Sequence, residues 1–312
     1  MAFSSLIALI ILPVQQTSLD QIEKVVQEAA KSKQYEGATL AKANESIFKL
    51  AETDELKTGS DFLRAAKAIS YLRMRFDTAR IKHELTLAAL ASGEEGARKA
   101  IKETWDCLLL STGRPQRIGF QKIPNEPRYE VVPAPKSVFN VINDPEKARE
   151  AAKSAKSDDE VTKICDEDQK DRQQDWSKLT AKQMNDISAR DKKRLNDILK
   201  LLGDGRVVTA EDFDHASLVL QHGSYWGDYS LAHELSICSL LLGNAKAAWL
   251  AAATYDRMLQ SGGHHQRFGT QYSSEGSGPF KFDPCDTTGI GDAERKAMKC
   301  PTLEQAKNRK WD

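Results

Sequence analysis

His83–Gln121, HELTLAALASGEEGARKAIKETWDCLLLSTGRPQRIGFQ, and His233–Gln271, HELSICSLLLGNAKAAWLAAATYDRMLQSGGHHQRFGTQ, read as one string written twice, 150 residues apart. They align without a gap and agree at about 15 of 39 positions, well above chance, and self-similarity of this kind governs any reading of the fold. Both strings open on HEL, carry a central glycine and a late aspartate, and close on QR-x-G-x-Q. Upstream, with one residue of slippage, Thr58-x-x-Asp61 aligns with Thr209-x-x-Asp212. A Thr hydroxyl that takes the amide three residues on, with an acid answering back, is a helix start signal.

From those starts each copy, residues 61 to 121 and 212 to 271, reads as three helices. Leu231, Leu235, Cys238 and Leu242 recur at helical spacing, as do Ala247, Leu250, Thr254 and Met258. Gly93 and Gly243 suit the position just past a helix end, where the left-handed conformation is needed. The expected class is all-α: two copies of a three-helix unit, a helical-hairpin repeat of tetratricopeptide-like kind. Between them, Pro124, Pro127, Pro133, Pro135 and Pro145 predict a linker over 122–145, with room for a short strand. Charged helices with sparse apolar positions follow from Glu146 to Lys200. The expected division is 1–18 as a candidate signal peptide, 19–121 as an N-terminal helical repeat domain and 146–312 as a C-terminal helical domain. Gly262 to Thr288 reads as a long loop, and the tail from Asp292 as a last helix.

Composition narrows the function classes. The 45 basic and 45 acidic residues of this 312-residue chain cancel, which removes the global field a nucleic-acid-binding protein would carry. With 40% hydrophobic and 29% charged residues it should fold as a globular protein. Leu6 to Val14 is an apolar run of signal-peptide length, too short to span a bilayer. It predicts export to a periplasmic or extracellular location, with no integral membrane segment once removed. No Lys or Arg precedes the run and no A-x-A site follows it, so a cytoplasmic location is the alternative. Cys107, Cys165, Cys238, Cys285 and Cys300 show no CxxC spacing, and only Cys285 with Cys300 looks pairable.

His233 lies ten residues before Gly243 and Asp256 thirteen after it, so the two stand at similar heights on antiparallel helices, as His83 and Asp106 do about Gly93. The pair predicts either an Asp-oriented histidine able to act as a base or a buried contact pinning the hairpin. Features confined to the second copy point more directly to function. Gln221-His222-Gly223 replaces Tyr71 and its neighbours, Arg257 replaces Cys107, and Thr270 replaces Phe120. Arg257 beside Asp256, with His222, Thr270 and Gln271 near, would form a polar cluster for a carboxylate, phosphate or sugar hydroxyl. His264-His265 is a weak metal signal without further spaced ligands. Asp168 and Arg172 have the spacing of an i,i+4 salt bridge that could also reach the cluster. No GxSxG, GxGxxG, P-loop or HExxH pattern occurs, so neither a cofactor nor a metal is expected.

Asp168-Gln169-x-x-Arg172, Gln221-His222-Gly223, Asp228-Tyr229, Ala232-His233-Glu234-Leu235, Asp256-Arg257 and Gln266-x-x-Gly269-Thr270-Gln271 together resemble a family of bacterial proteins of unknown function with the pattern DQxxR…QH…DR…GxPQxYGTQ. The match covers roughly residues 160 to 305. It departs at His264-His265, where the family shows a residue and Pro, and at Phe268, where it shows Tyr. The resemblance implies that His222, Asp256, Arg257, Gln266, Gly269, Thr270 and Gln271 belong to one characteristic constellation and that residues 61–121 are a diverged second copy; with Gln221, these are the candidate ligand-binding residues. The function expected is a helical binding or scaffold protein whose cluster orients a peptide or glycan. The alternative is a hydrolase or transferase, with catalytic candidates His222 or His233 as base, Asp256 as its orienter and Arg257 as anion stabiliser.

Overall fold

Thr58 and Thr209 start helices as their spacing predicts. In the computed structural model each hydroxyl accepts the amide three residues on, and each Asp side chain returns the bond. The structure describes residues 18–32, 37–70, 75–120, 130–175, 178–274 and 278–309. The run Leu6–Val14 and Tyr71 fall outside them.

Among the described residues the chain is all-α, with one short hairpin. The first half holds α1 (Leu19–Ser32), α2 (Gly37–Glu52), α3 (Gly59–Ala68), α4 (Phe76–Ala91), α5 (Glu95–Ser111), α6 (Lys136–Asn143) and α7 (Pro145–Ala152). The second holds α8 (Asp159–Arg172), α9 (Ala181–Gly203), α10 (Ala210–Leu220), α11 (Trp226–Leu241), α12 (Ala248–Ser261), α13 (Asp292–Ala297) and α14 (Leu303–Lys307). Strands β1 (Tyr272–Ser273) and β2 (Lys281–Phe282) pair antiparallel inside the loop that follows α12. No described helix is long and apolar enough to cross a membrane.

Gly93 and Gly243 close α4 and α11 at φ +89° and +102°. At each, the residue after the glycine donates its amide back to a carbonyl of the last turn, Glu94 to Ala89 and Asn244 to Ser239. The chain then reverses, so α5 packs on α4 and α12 on α11.

The halves are bound by reciprocal contacts: α6 packs on α11 and α13 on α4, while α6 also touches α9 and α13 touches α2. One hydrophobic cluster runs through both, from Ile47, Leu85 and Trp105 to Phe213, Leu235 and Tyr255. The division at 121 and 146 therefore cuts through a shared core rather than between two cores. The 122–145 stretch also differs from the linker expectation, since α6 begins at Lys136 and buries Val138, Val141 and Ile142. Pro133 and Pro135 precede α6 and Pro145 opens α7, positions where no amide hydrogen is needed, instead of interrupting a helix. Cys285 and Cys300, the two that looked pairable, are both free thiols.

Candidate functional site

His233 and Asp256 do not meet. His233 Nε2 lies 3.1 Å from His83 Nε2, which joins the two halves of the chain. Its Nδ1 lies 2.9 Å from the Ala251 carbonyl oxygen, which can only accept, so Nδ1 carries the hydrogen of the neutral ring. Nε2 of His233 is then an acceptor, His83 Nε2 must donate to it, and His83 Nδ1 accepts from the Thr104 hydroxyl at 3.1 Å. Both rings are fully buried. Burial pushes His83 well below the ordinary histidine range, with His233 adding to it, and pushes His233 down to about 3. All four ring nitrogens are engaged inside the core, which leaves His233 no route to a substrate.

The glutamates beside these histidines are crossed in the same way. Glu84 takes Arg267 Nη2 at 2.7 Å and the Tyr255 hydroxyl at 3.2 Å, both from the second half. Glu234 takes Arg117 Nε at 2.8 Å and Trp105 Nε1 at 3.1 Å, both from the first. The carboxylates are fully buried, so their charge is tolerated only because a guanidinium and a further donor face each one.

Asp256 serves the loop that delivers Arg267. It accepts the amides of Arg267, Phe268 and Thr270 and the Thr270 hydroxyl, at 2.7 to 3.1 Å. Asp106 does the same for the amides of Arg117, Ile118, Gly119 and Phe120. Burial raises the Asp256 carboxyl above its ordinary range, while the loop donors pull the other way. Gln266 closes the same loop: its Nε2 donates to the Gln271 and Asp283 carbonyls, and its Oε1 accepts the Gln271 amide. Gln271 Nε2 donates to the Ala253 carbonyl and Thr270 Oγ1. Gly269, at φ +78°, packs against Ala306 and Phe282, so the turn is left-handed and crowded at once. Of the constellation drawn from the sequence, Asp256, Gln266, Gly269, Thr270 and Gln271 thus form one loop-building group.

His222 and Arg257 belong elsewhere. His222 Nδ1 lies 3.1 Å and 3.0 Å from the two oxygens of Asp168, which is fully buried. Asp168 also accepts Gln169 Nε2 at 2.9 Å and Arg172 Nη2 at 3.2 Å, with Arg194 behind it at 3.6 Å. Burial works against this carboxylate, but His222, Arg172 and Arg194 outweigh it and hold Asp168 below the usual range. The network extends across α8 and α9, where Arg194 bridges Asp171 and Asp191, Arg172 pairs with Asp191 and Arg190 with Asp171.

The turn before α11 aims His222. A Cβ on Gly223 would come within 2.3 Å of the Asp228 side chain, whose Oδ2 accepts the amides of Ser224 and Tyr225. The Tyr229 hydroxyl donates to the Gly223 carbonyl at 2.7 Å and lies beside Arg257 on α12. Burial lowers the Arg257 guanidinium; Tyr229 opposes that and Arg172 adds to it. Among the described residues no carboxylate pairs with Arg257, and its buried Nε has no partner. His222 is likewise lowered by burial, with Asp168 pulling it up and Arg172 and Arg257 pushing it down. Gln221, the C-cap of α10, is buried just before it. Cys107, aligned with Arg257, is buried in α5.

Other candidates stand apart. His264 stacks on Phe76 at 4.2 Å between ring centroids, and among the described residues no three His, Cys, Asp or Glu side chains converge as a metal site. Nearby aromatics are mostly packed: Trp226 lies under the Arg114 guanidinium and Tyr272 packs on Phe282, while Tyr225 is 75% exposed. A cavity of about 360 Å³ lies between Glu52, Asp54, Thr288, Asp292, Arg295 and Leu303, away from His222. No family profile, no curated protein and no solved structure matches the chain.

Proposed function

We propose that this is a helical binding protein whose second half holds an oxyanion between Arg257, Arg172 and His222. Arg257 carries the reading: a partly buried guanidinium, its Nε buried, without a carboxylate partner among the described residues and beside a second arginine and a histidine. Asp168, Asp171 and Asp191 are engaged by Arg172, Arg190 and Arg194, which leaves none of them to Arg257. A buried unpaired cation is costly, and a phosphate or carboxylate group on a peptide, glycan or smaller ligand would relieve it. The same residues carry the resemblance to the DQxxR…QH…DR family, which supports assigning them one role. The reciprocal His83–His233, Glu84–Arg267 and Glu234–Arg117 contacts favour reading the two halves as copies of one unit folded together as an internal pair. In that reading the first half is scaffold, since Cys107 stands where the cation would be.

The test is equilibrium binding of sulfate and acetate to the full chain by titration calorimetry. Binding should be abolished or weakened at least tenfold in Arg257→Met, while Arg190→Met, on the exposed edge of the network, should change it little. Equal affinity in wild type and Arg257→Met would overturn the reading.

A hydrolase or transferase is the second reading, favoured by the Asp168–His222 dyad. Asp168 takes the orienting role that the sequence suggested for Asp256, and His222 Nε2 has no protein partner among the described residues. Hydrolysis of p-nitrophenyl acetate or bis(p-nitrophenyl) phosphate above the buffer rate, lost in His222→Asn, would support it. Rates equal in the two proteins would remove it.

A further inference from the structure

Asp168 can only accept from His222 while it is ionised, so Nδ1 of the histidine carries a hydrogen. A neutral ring then presents Nε2 as a lone pair. This is the atom left facing outward, for the ring is 18% exposed and Nε2 has no protein partner among the described residues. An oxyanion drawn in by Arg257 and Arg172 would therefore meet a lone pair where it needs a donor. Two arrangements remove the conflict. Either the ring gains a proton and Nε2–H donates to the ligand, or a ligand oxygen keeps its own proton and donates to Nε2. Both bring one proton in with the anion.

We propose that the Asp168–His222–Arg257 site takes up its oxyanion, a phosphate or carboxylate group, together with one proton shared between His222 Nε2 and the ligand. This rests on the anion-binding reading above and adds the ligand's proton stoichiometry to it. The groups facing His222 are Asp168 and Arg172 from α8 and Arg257 from α12, with Tyr229 of α11 beside Arg257 and Arg194 of α9 behind Asp168. In the free protein, burial and the two guanidiniums keep the ring neutral near pH 7 against the pull of Asp168. A bound anion offsets the field of the guanidiniums and leaves an imidazolium flanked by Asp168 on one side and the ligand on the other. Between the free and liganded pKa of His222, affinity should fall about tenfold for each unit rise in pH.

The test uses the full chain and two probes that do not titrate near neutrality, sulfate standing for a phosphate group and acetate for a carboxylate. Calorimetry at pH 7 in buffers of different ionisation enthalpy reads the protons exchanged on binding. Whichever probe binds should take up close to one proton, and His222→Asn should bind it with none. The His222 ring resonance followed by NMR gives a second measure that needs no variant, its titration moving upward by at least one pH unit when the probe is present. Binding without proton uptake would overturn the linkage and leave the anion site standing. Binding of neither probe at millimolar concentration would overturn both.

Discussion

His222 and His233 are eleven residues apart in sequence, yet their surroundings differ in kind. Around His233 every ring nitrogen is engaged, and the neighbouring glutamates each take donors from the other half. Around His222 the network is built on one half only, reaches the surface, and leaves Arg257 without a counter-ion. The crossed contacts close on residues of both halves, whereas Arg257 has no carboxylate facing it among the described residues. Residues needed for folding and residues available for a ligand separate on that line.

The largest effect should come from breaking a crossed ion pair. Arg267→Met leaves Glu84 buried and unpaired, and should cost about 3–5 kcal/mol in denaturant unfolding. Arg117→Met should cost less, because that arginine is 21% exposed and water can reach the group left behind. Equal losses would mean that the two crossings are closer to equivalent than their burial indicates. Next come the loop anchors. Asp256→Asn and Asp106→Asn should each cost about 2–3 kcal/mol, from amides deprived of a charged acceptor. A stable Asp256→Asn protein that had lost only ligand binding would return Asp256 to the functional cluster.

The acid limb offers a sharper contrast. His83 and His233 are held below the unfolded value of 6.5, so the unfolded chain binds more protons than the folded one as pH falls under it. Their stabilisation is complete above about 6.5 and drains away as pH falls, toward about 3 for His233. Each such ring contributes a slope of about 1.4 kcal/mol per pH unit. Glu294, whose carboxyl burial pushes up from 4.5 to about 8, acts in the opposite sense between those values and so overlaps the histidine window above 4.5. The assignment therefore rests on the difference between wild type and His233→Asn in urea unfolding at pH 7 and pH 5. The variant should start less stable and lose less stability on acidification. The smallest effect is expected for His222→Asn, within about 1 kcal/mol of wild type at pH 7, as suits a partly exposed side chain.

Much of this was legible in the sequence. The glycines at 93 and 243, the Thr-x-x-Asp starts and the apolar spacing within each hairpin are local signals, and local chemistry formed the helices. Helix α6 was hidden because prolines dominate its approach, while its buried face, Val138, Val141 and Ile142, is defined by α11 of the other half. In the site, rotation about the helix axis was not legible from spacing. Asp256 and Arg257 are neighbours in sequence and point about 100° apart, so one could enter the loop while the other faced His222. Asp168 carried a signal in the DQxxR pattern, read first as an i,i+4 pair. Its role in orienting His222 depends on α8 lying against α10, which no spacing reveals.

The hydrogen bond between His83 and His233 has a direction, and the direction has a source. Two identical rings meeting across a twofold axis would have two equal arrangements, either ring donating, and would interconvert between them. Here the second partners differ, a hydroxyl at Thr104 and a carbonyl at Ala251, and a carbonyl cannot give a hydrogen. One arrangement is therefore selected, so the point where the two halves look most alike is also where the chain distinguishes left from right.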